Sequence, residues 1–380
     1  MVSEFSPHNA ASAELKPETL PRKPLMRGVW WSAIALLAFL LVEAAVFRSG
    51  WYTRYLQPVS SAGMVENHLY WLRHAPPAKQ GEVVVIGDSR IAEGFTVPAA
   101  GAATGNRLKF WNFGIGGMSP RVWYYLLRDA DPGRRRFRAI VLPLDRYSDS
   151  DPSLSQRDHI IDLNYSIGRL RLSDCWDFAM SMESSANQRT ALIGCIFKGV
   201  VLRADLHEFL EDSAARLKIC LYEREHGMGD IDNYSGIAKN LTGLSADLDR
   251  GVIYFPQGVN ESQMNSIRQT LTPDLKPDNG ETTSYRRQWL GGILDLYKNS
   301  PTRIIFLQLP RAPLPVQDKV PPRFIQSVAS RQGVSVISPE RYRDLERPEL
   351  FGDGLHLNAD GRKIFTARLA GDIEAILGSR

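Results

Sequence analysis

The sequence contains little cysteine, with three in 380 residues: Cys175, Cys195 and Cys220. Three cysteines cannot form a disulfide framework, and their spacing is not that of metal ligands. At most one pair could form a disulfide, so cysteine content leaves the redox compartment open. The seven histidines are scattered, and no His-x-x-x-His pair occurs. We therefore expect neither a bound metal nor another cofactor.

A strong excess of one charge is also missing. Lys and Arg number 46 and Asp and Glu 42, which gives a formal net charge of +4. A nucleic-acid-binding protein needs a concentrated basic face to neutralise phosphates, so nucleic acid is not an expected partner. Hydrophobic residues make up 43% of the chain, which excludes a mainly disordered protein and allows a sizeable core. The length fits two average domains, or one α/β domain with a large insertion.

The long apolar run lies near the N-terminus, over residues 28–47, and contains one charge, Glu43. At 1.5 Å per residue it spans about 30 Å, the thickness of the hydrocarbon core of a bilayer. Four basic residues lie in the polar segment before it, namely Lys16, Arg22, Lys23 and Arg27. The positive-inside rule then predicts a cytoplasmic tail over 1–27, a transmembrane anchor over 28–47 and an extracytoplasmic remainder. A cleaved signal peptide and a buried helix are the alternatives, although the apolar region of a signal peptide is usually shorter.

Residues 48–80 are predicted to be a connector, with aromatic residues typical of a membrane interface and Pro76-Pro77 at its end. A folded domain is expected over 81–380. Short apolar runs predict strands buried on both faces over 82–86, 108–112, 139–144, 303–309 and 334–337. Helical spacing predicts helices over 120–129 and 359–377.

The alternation of strands and helices predicts a three-layer α/β/α domain. Its sheet is expected to be parallel, in the order 2-1-3-4-5, with ligands at the carboxyl ends of the strands. Residues 148–300 break this rhythm and are predicted to form an insertion, about half helical. It contains amphipathic stretches over 204–217 and 285–297.

Two short motifs could carry chemistry. Gly87-Asp88-Ser89-Arg90 follows the first predicted strand, where a serine hydroxyl is exposed at the edge of the sheet. Alone, this motif indicates no more than a turn, because Gly, Asp and Ser are common turn residues. Asp353-Gly354-Leu355-His356-Leu357-Asn358 lies before the last helix, and alone it is an ordinary capped helix start. Together they place a serine, a histidine base and an aspartate that fixes the histidine tautomer at one sheet edge.

With these two motifs the sequence resembles the SGNH, or GDSL-type, hydrolase superfamily over roughly 82–147 and 302–380. The resemblance implies a flavodoxin-like fold, with Ser89 as nucleophile, His356 as base and Asp353 as acid. The segment 112–117, Asn-Phe-Gly-Ile-Gly-Gly, is similar to the second block of that family. By the same resemblance, the backbone N–H of Gly117 binds the oxyanion. A tight strand-to-helix turn explains these glycines equally well.

The third block of the family is where this sequence departs. The family usually has Gly-x-Asn-Asp, whereas this chain reads Leu144-Asp145-Arg146-Tyr147-Ser148. Tyr147 and Arg146 are the candidate replacements for the missing Asn as oxyanion donor. Arg146, Arg90 and Asn112 are also candidates for substrate binding. Arg90 could steer an acidic sugar, and a surface salt bridge is its alternative role.

The anchor, the divergent third block and the insertion together resemble the membrane-tethered SGNH proteins of bacterial envelope O-acylation. This implies a single-pass inner-membrane protein with a periplasmic domain. It would be an O-acyl esterase or O-acyltransferase on envelope polysaccharide, working through an acyl-Ser89 intermediate. A membrane-bound O-acyltransferase would be its partner. The alternative is a non-catalytic subunit that retains the fold and binds glycan or acts as a scaffold.

Overall fold

A computed structural model describes residues 22–144, 158–272, 281–316 and 323–378. In this part of the chain, a five-stranded sheet forms the centre and a two-stranded hairpin lies in the insertion. The strands are β1 Glu82–Gly87, β2 Lys109–Gly114, β3 Phe137–Leu144, β4 Ser245–Asp247, β5 Val252–Tyr254, β6 Arg303–Gln308 and β7 Val334–Val336.

The central sheet has the strand order β2-β1-β3-β6-β7, and all of its neighbouring strands are parallel. This confirms the five predicted strands and their order, with strand ends within two residues of the prediction. Gly87 at the end of β1 pairs with Gly114 at the end of β2. The loops after these two strands therefore leave the sheet side by side.

Helices cover both faces of the sheet, as predicted. Val84 and Ile86 of β1 belong to a buried cluster on one face, and Val83 and Val85 to a cluster on the other. Strands buried on both faces need continuous apolar runs, which is why they are visible in the sequence. The helices are α1 Arg22–Val42, α2 Ser61–His74, α3 Ser89–Gly94, α4 Val97–Ala103, α5 Pro120–Ala130, α6 Asp162–Ser166, α7 Cys175–Met180, α8 Ser185–Ile196, α9 Lys198–Glu211, α10 Ser213–Asn233, α11 Glu261–Leu271, α12 Glu281–Tyr297, α13 Arg323–Ala329 and α14 Ala359–Gly378.

The insertion is largely helical and has a buried cluster of its own, joined to the sheet layers through Tyr125 of α5 and Trp289 of α12. Two details differ from the prediction. The stretch 204–217 is two helices, because Asp212 ends α9 and its side chain accepts a hydrogen bond from the N–H of Ala215, capping α10 (3.0 Å). Helix α12, predicted as part of the insertion, lies in the sheet-covering layer beside α5.

The predicted connector over 48–80 is instead folded into the domain. Helix α2 begins after Ser60, whose hydroxyl accepts a hydrogen bond from the N–H of Gly63. Val65 and Leu69 of α2 are fully buried against the sheet. Tyr52 and Trp71, expected at a membrane interface, are buried as well. A helix with one apolar, aromatic face has the same sequence pattern on a sheet as on a membrane, which explains the difference.

The N-terminal helix continues beyond α1 as a π-helix, Glu43–Arg48. Gly28–Arg48 is long and apolar enough to cross a membrane, with a mean hydropathy of 2.1, and only 6% of this window is buried. The orientation of this helix stays a prediction.

The insertion contains a disulfide between Cys175 and Cys195, whereas Cys220 is free and buried. One bridged pair is what three cysteines allow.

Candidate active site

Ser89 is the first residue of α3, immediately after the turn that ends β1. Asp88 caps the helix, and its carboxylate accepts a hydrogen bond from the N–H of Arg90 at 2.9 Å. The helix starts very close to the end of β2. A Cβ on Gly114 would lie 2.2 Å from the backbone nitrogen of Ala92, so only glycine fits there. The glycine at the strand end thus fixes the position of the serine.

His356 and Asp353 lie in the loop between β7 and α14. One oxygen of Asp353 accepts hydrogen bonds from the backbone N–H groups of Leu355 and His356, both at 2.8 Å. The other oxygen lies 2.9 Å from Nδ1 of His356. On the far side of the ring, Nε2 lies 2.8 Å from Oγ of Ser89. The structure therefore brings the three predicted residues together in one hydrogen-bonded chain.

The ionisation of Asp353 sets the tautomer of His356. Burial opposes that ionisation, but hydrogen bonds from the ring and backbone of His356 outweigh it, and the pKa of Asp353 lies below its usual range. An ionised carboxylate only accepts hydrogen bonds, so Nδ1 of His356 carries the proton. Nε2 is then the acceptor for the hydroxyl of Ser89, as a general base requires.

The pKa of His356 is raised above its ordinary value. Burial lowers it, but the hydrogen bond and charge of Asp353 outweigh burial, with help from the charges of Glu93 and Asp88. Only neutral His356 can accept a proton from Ser89. Any activity that depends on this base should therefore appear as the pH rises through a value above that of a free imidazole.

We predict that Asp353→Asn moves the acidic limb of the pH–activity profile, where activity appears, to lower pH. Removing the carboxylate removes the main cause of the raised pKa of His356. The plateau of kcat should fall by about 10⁴-fold, since the wrong tautomer becomes populated. pH profiles of kcat/KM and of kcat for ester hydrolysis measure the shift and the fall, respectively. Glu93→Gln, which removes a weaker charge, should shift the limb less in the same direction. An unmoved limb in Asp353→Asn would mean that another group is the base.

The glycines after β2 form a turn against Ser89. A hydrogen bond from the N–H of Met118 to the carbonyl of Ile115 closes it, and Gly117 has a φ of +77°. A Cβ on Gly116 would lie 3.8 Å from the Cβ of Ser89, so the turn passes close to the serine at Gly116. Within the described residues, the N–H groups of Ser89, Gly116 and Gly117 donate no backbone hydrogen bond. They are available as oxyanion donors.

Tyr165 of α6 supports this turn and was not predicted from the sequence. Its hydroxyl donates a hydrogen bond to the carbonyl of Gly116, and it would lie 2.8 Å from a Cβ on Gly117. The side chain is almost fully buried. Tyr165 comes from the insertion, far from any motif, so nothing in its sequence surroundings marks it. Glu93 was not predicted either, although it lies one helical turn after Ser89, a spacing that could have indicated it.

Among the remaining candidates, Asn112 lines the cavity between α2, α3 and α10, and its role in substrate binding stays a prediction. Arg90 forms a salt bridge with Asp88, with Nη2 2.6 Å from Oδ2, which is the alternative role considered for it. Asn112 is buried, donates to the carbonyls of Ile91 (3.3 Å) and Phe95 (2.9 Å), and accepts from the N–H of Gly114 (2.8 Å). It therefore ties α3 to β2. Arg146 and Tyr147 lie outside the described residues.

A cavity of about 510 Å³ opens beside the glycine turn, between α2, α3 and α10. Gly116 and Ala92 form its wall nearest Ser89. The other walls combine apolar and acidic side chains, including Met64, Trp71, Ile115, Ile231, Glu93, Glu223 and Asp230. No Lys or Arg is found among the described residues that line it. Burial and the neighbouring Asp230 raise the pKa of Glu223.

The described residues contain no group of three or more His, Cys, Asp or Glu side chains that could hold a metal ion. A comparison with protein-family models and with curated proteins gives no match for this chain.

Proposed function

We propose that this protein is an extracytoplasmic serine acyl-transfer enzyme of the SGNH type, acting on acyl esters of bacterial envelope polysaccharide. The observation that carries the proposal is the hydrogen-bonded chain from Asp353 through His356 to Ser89, at the carboxyl ends of the parallel strands. This is the arrangement that activates a serine nucleophile. The same residues also carry the sequence resemblance to that superfamily.

The proposed reaction has two halves. Nε2 of His356 takes the proton of Ser89 as Oγ attacks the acyl carbonyl, and the backbone N–H groups of Ser89 and Gly117 stabilise the oxyanion, with Gly116 adjacent. The tetrahedral intermediate collapses to acyl-Ser89, and His356 gives the proton to the departing sugar oxygen, which leaves as a hydroxyl. In the second half His356 takes a proton from the acceptor, the acceptor oxygen attacks the acyl carbonyl, and His356 passes that proton to Oγ of Ser89 as the bond between Oγ and the acyl group breaks. Water as acceptor gives an esterase, and a second sugar hydroxyl gives a transferase. Tyr147 and Arg146 stay candidates for a third oxyanion donor.

The charge of the cavity beside the site favours a neutral or amino sugar over a polyuronate. Its acidic side chains would repel a carboxylate on each sugar ring, and Arg90, the expected attraction for an acidic sugar, is paired with Asp88. We predict a higher kcat/KM for O-acetylated chitosan oligomers than for O-acetylated oligouronates of equal length. Equal values, or a preference for uronates, would contradict this assignment.

Two features support an extracytoplasmic domain. The apolar helix Gly28–Arg48 follows a basic flank. Disulfides such as Cys175–Cys195 persist mainly in oxidising compartments. We therefore propose a single span in the inner membrane and a periplasmic domain. A membrane-bound O-acyltransferase would be its partner in the same membrane.

We predict that alkaline phosphatase fused after Arg380 is active in cells, because this enzyme needs export to form its own disulfides. A cytoplasmic reporter, β-galactosidase, fused at the same position should be inactive. Alkylation under non-reducing conditions should also find Cys175 and Cys195 oxidised. The reverse reporter pattern would place the domain in the cytoplasm.

A fluorophosphonate probe on the full-length protein in detergent tests the enzymatic proposal. Labelling should occur on Ser89 and vanish in Ser89→Ala. The control Ser338→Ala, at an exposed serine after β7, should label normally. A non-catalytic scaffold is the alternative, and it predicts that no variant labels and that cells with Ser89→Ala acylate their envelope normally.

A further inference from the structure

The N-terminal helix is joined rigidly to the corner between α8 and α9, which we define as residues 193–201. Glu43 accepts hydrogen bonds from the N–H groups of Lys198 (2.7 Å) and Gly199 (3.0 Å) at the start of α9. Arg48 donates to the last carbonyl groups of α8. One helix thus caps two others, so the position of the corner along the span is fixed.

The corner contacts the N-terminal helix well inside its apolar run, and not only at its end. The ring of Phe39 contacts the ring of Phe197, with centroids 5.5 Å apart, and Phe39 lies about 12 Å before Phe47 along the helix axis. If the bilayer ended where this contact begins, residues 28–38 would have to span it alone. They cover only about 17 Å, against about 30 Å for the hydrocarbon core. A spanning helix therefore brings the corner into the bilayer surface.

The side chains of the corner suit that position. Ile193 and Val200 are 51% and 45% exposed. Leu172 and Trp176, each 62% exposed, lie beside Cys175, which the disulfide joins to Cys195 in the corner. Large apolar side chains exposed in this number on neighbouring elements indicate a binding surface.

A groove of about 520 Å³ runs beside these side chains, between α6 and the corner. Its walls are mainly apolar, formed by Ile160, Ile161, Leu163, Ile193, Val200 and Val201. Arg189 and Arg203 also line it, and both are exposed. Neither has a carboxylate partner among the residues that the structure describes. The groove thus combines an apolar channel with two available guanidinium groups.

We propose that the corner lies in the bilayer surface and that this groove binds an anionic phospholipid, with an acyl chain along the apolar walls and the phosphate on Arg189 and Arg203. We choose phospholipid as the occupant because phospholipid molecules surround any part of a protein that lies in the bilayer surface. The inference rests on the proposed membrane span and is independent of the proposed catalysis.

Depth-dependent fluorescence quenching tests the position of the corner. Single cysteines for a fluorescent label are introduced into the Cys220→Ser protein at Val200, at Leu36 in the span and at Lys363, an exposed residue of α14. The proteins are reconstituted in vesicles that contain doxyl-labelled phosphatidylcholine. We expect quenching at positions 36 and 200 and none at 363. Quenching at 36 alone would overturn the proposal, and absence of quenching at 36 would overturn the membrane span on which it rests.

Lipid selectivity tests the groove. Spin-labelled phosphatidylglycerol and phosphatidylcholine are compared for association with the reconstituted full-length protein. A basic side chain near an anionic bilayer typically contributes about fivefold in affinity, so Arg189→Gln and Arg203→Gln should each lower the preference for phosphatidylglycerol about fivefold. The charge-retaining Arg203→Lys and the remote Lys363→Gln should keep it. No preference in the unmodified protein, or an equal loss in Lys363→Gln, would overturn the assignment.

Discussion

Ser89→Ala and His356→Ala should each lower kcat for ester cleavage by about 10⁵–10⁶-fold, the loss typical when either member of a serine–histidine pair is removed. Oγ of Ser89 is the attacking atom, and Nε2 of His356, 2.8 Å away, is the base in reach. Steady-state kinetics with an activated acetyl ester measure the effect. KM should change little, because neither side chain is expected to hold the sugar.

The double variant distinguishes a working pair from two separate contributions. Ser89→Ala with His356→Ala should lose scarcely more than either change alone, because the two groups act as one unit. His74→Ala, at an exposed histidine of α2, is the control and should retain full activity. Additive losses, or a residual rate near that of the unmodified protein, would count against the proposed mechanism and favour the scaffold.

Asp162→Ala should lower the free energy of unfolding by about 3–5 kcal/mol, because it removes one charge of a buried ion pair. Asp162 and Arg121 are both fully buried, and Nη1 lies 2.8 Å from Oδ2. The hydroxyl of Ser119 also donates to Asp162 at 2.7 Å. This network joins α6 of the insertion to the start of α5, directly after the glycine turn. Chemical denaturation monitored by tryptophan fluorescence measures the loss.

The matched control is Asp344→Ala, which removes a carboxylate from an exposed pair with Arg368. Exposed pairs contribute about 0–1 kcal/mol, so stability should hardly change. Replacing both buried partners, with Arg121→Met and Asp162→Leu, should recover much of the loss, since neither charge is then buried. A loss in Asp162→Ala no larger than that in Asp344→Ala would contradict this role of the buried pair.

The sheet and the core of the site could be predicted because both depend on local patterns. Strands covered on both faces appear as continuous apolar runs, and the carboxyl ends of parallel strands share one edge, which brings residues 89 and 356 together. Asp353 could be predicted from its spacing alone, because it lies three residues before His356. Each strand and each motif can be recognised from its own short stretch of sequence, and the parallel order of the strands does the rest.

The parts that could not be predicted depend on partners distant in sequence. Helix α2 has the apolar and aromatic face of an interfacial helix, and only the sheet shows that Trp71 is buried. Tyr165 supports the turn at Gly116 from an insertion that has no motif. The closeness of Gly116 to Ser89 could not be predicted either, because it depends on how closely α3 approaches β2. The role of Gly117 as oxyanion donor stays a prediction.

The joint between the N-terminal helix and the domain has a consequence for the proposed function. Glu43, Phe47 and Tyr52 are all buried, so the apolar N-terminal helix passes into the domain without a flexible tether. A tethered domain searches a volume set by the length of its linker. Anchored by a spanning helix, this domain would instead hold Ser89 at a constant height above the lipid. In the proposed topology, it would modify a glycan as the polymer emerges from the membrane, and material already assembled farther out would lie beyond its reach.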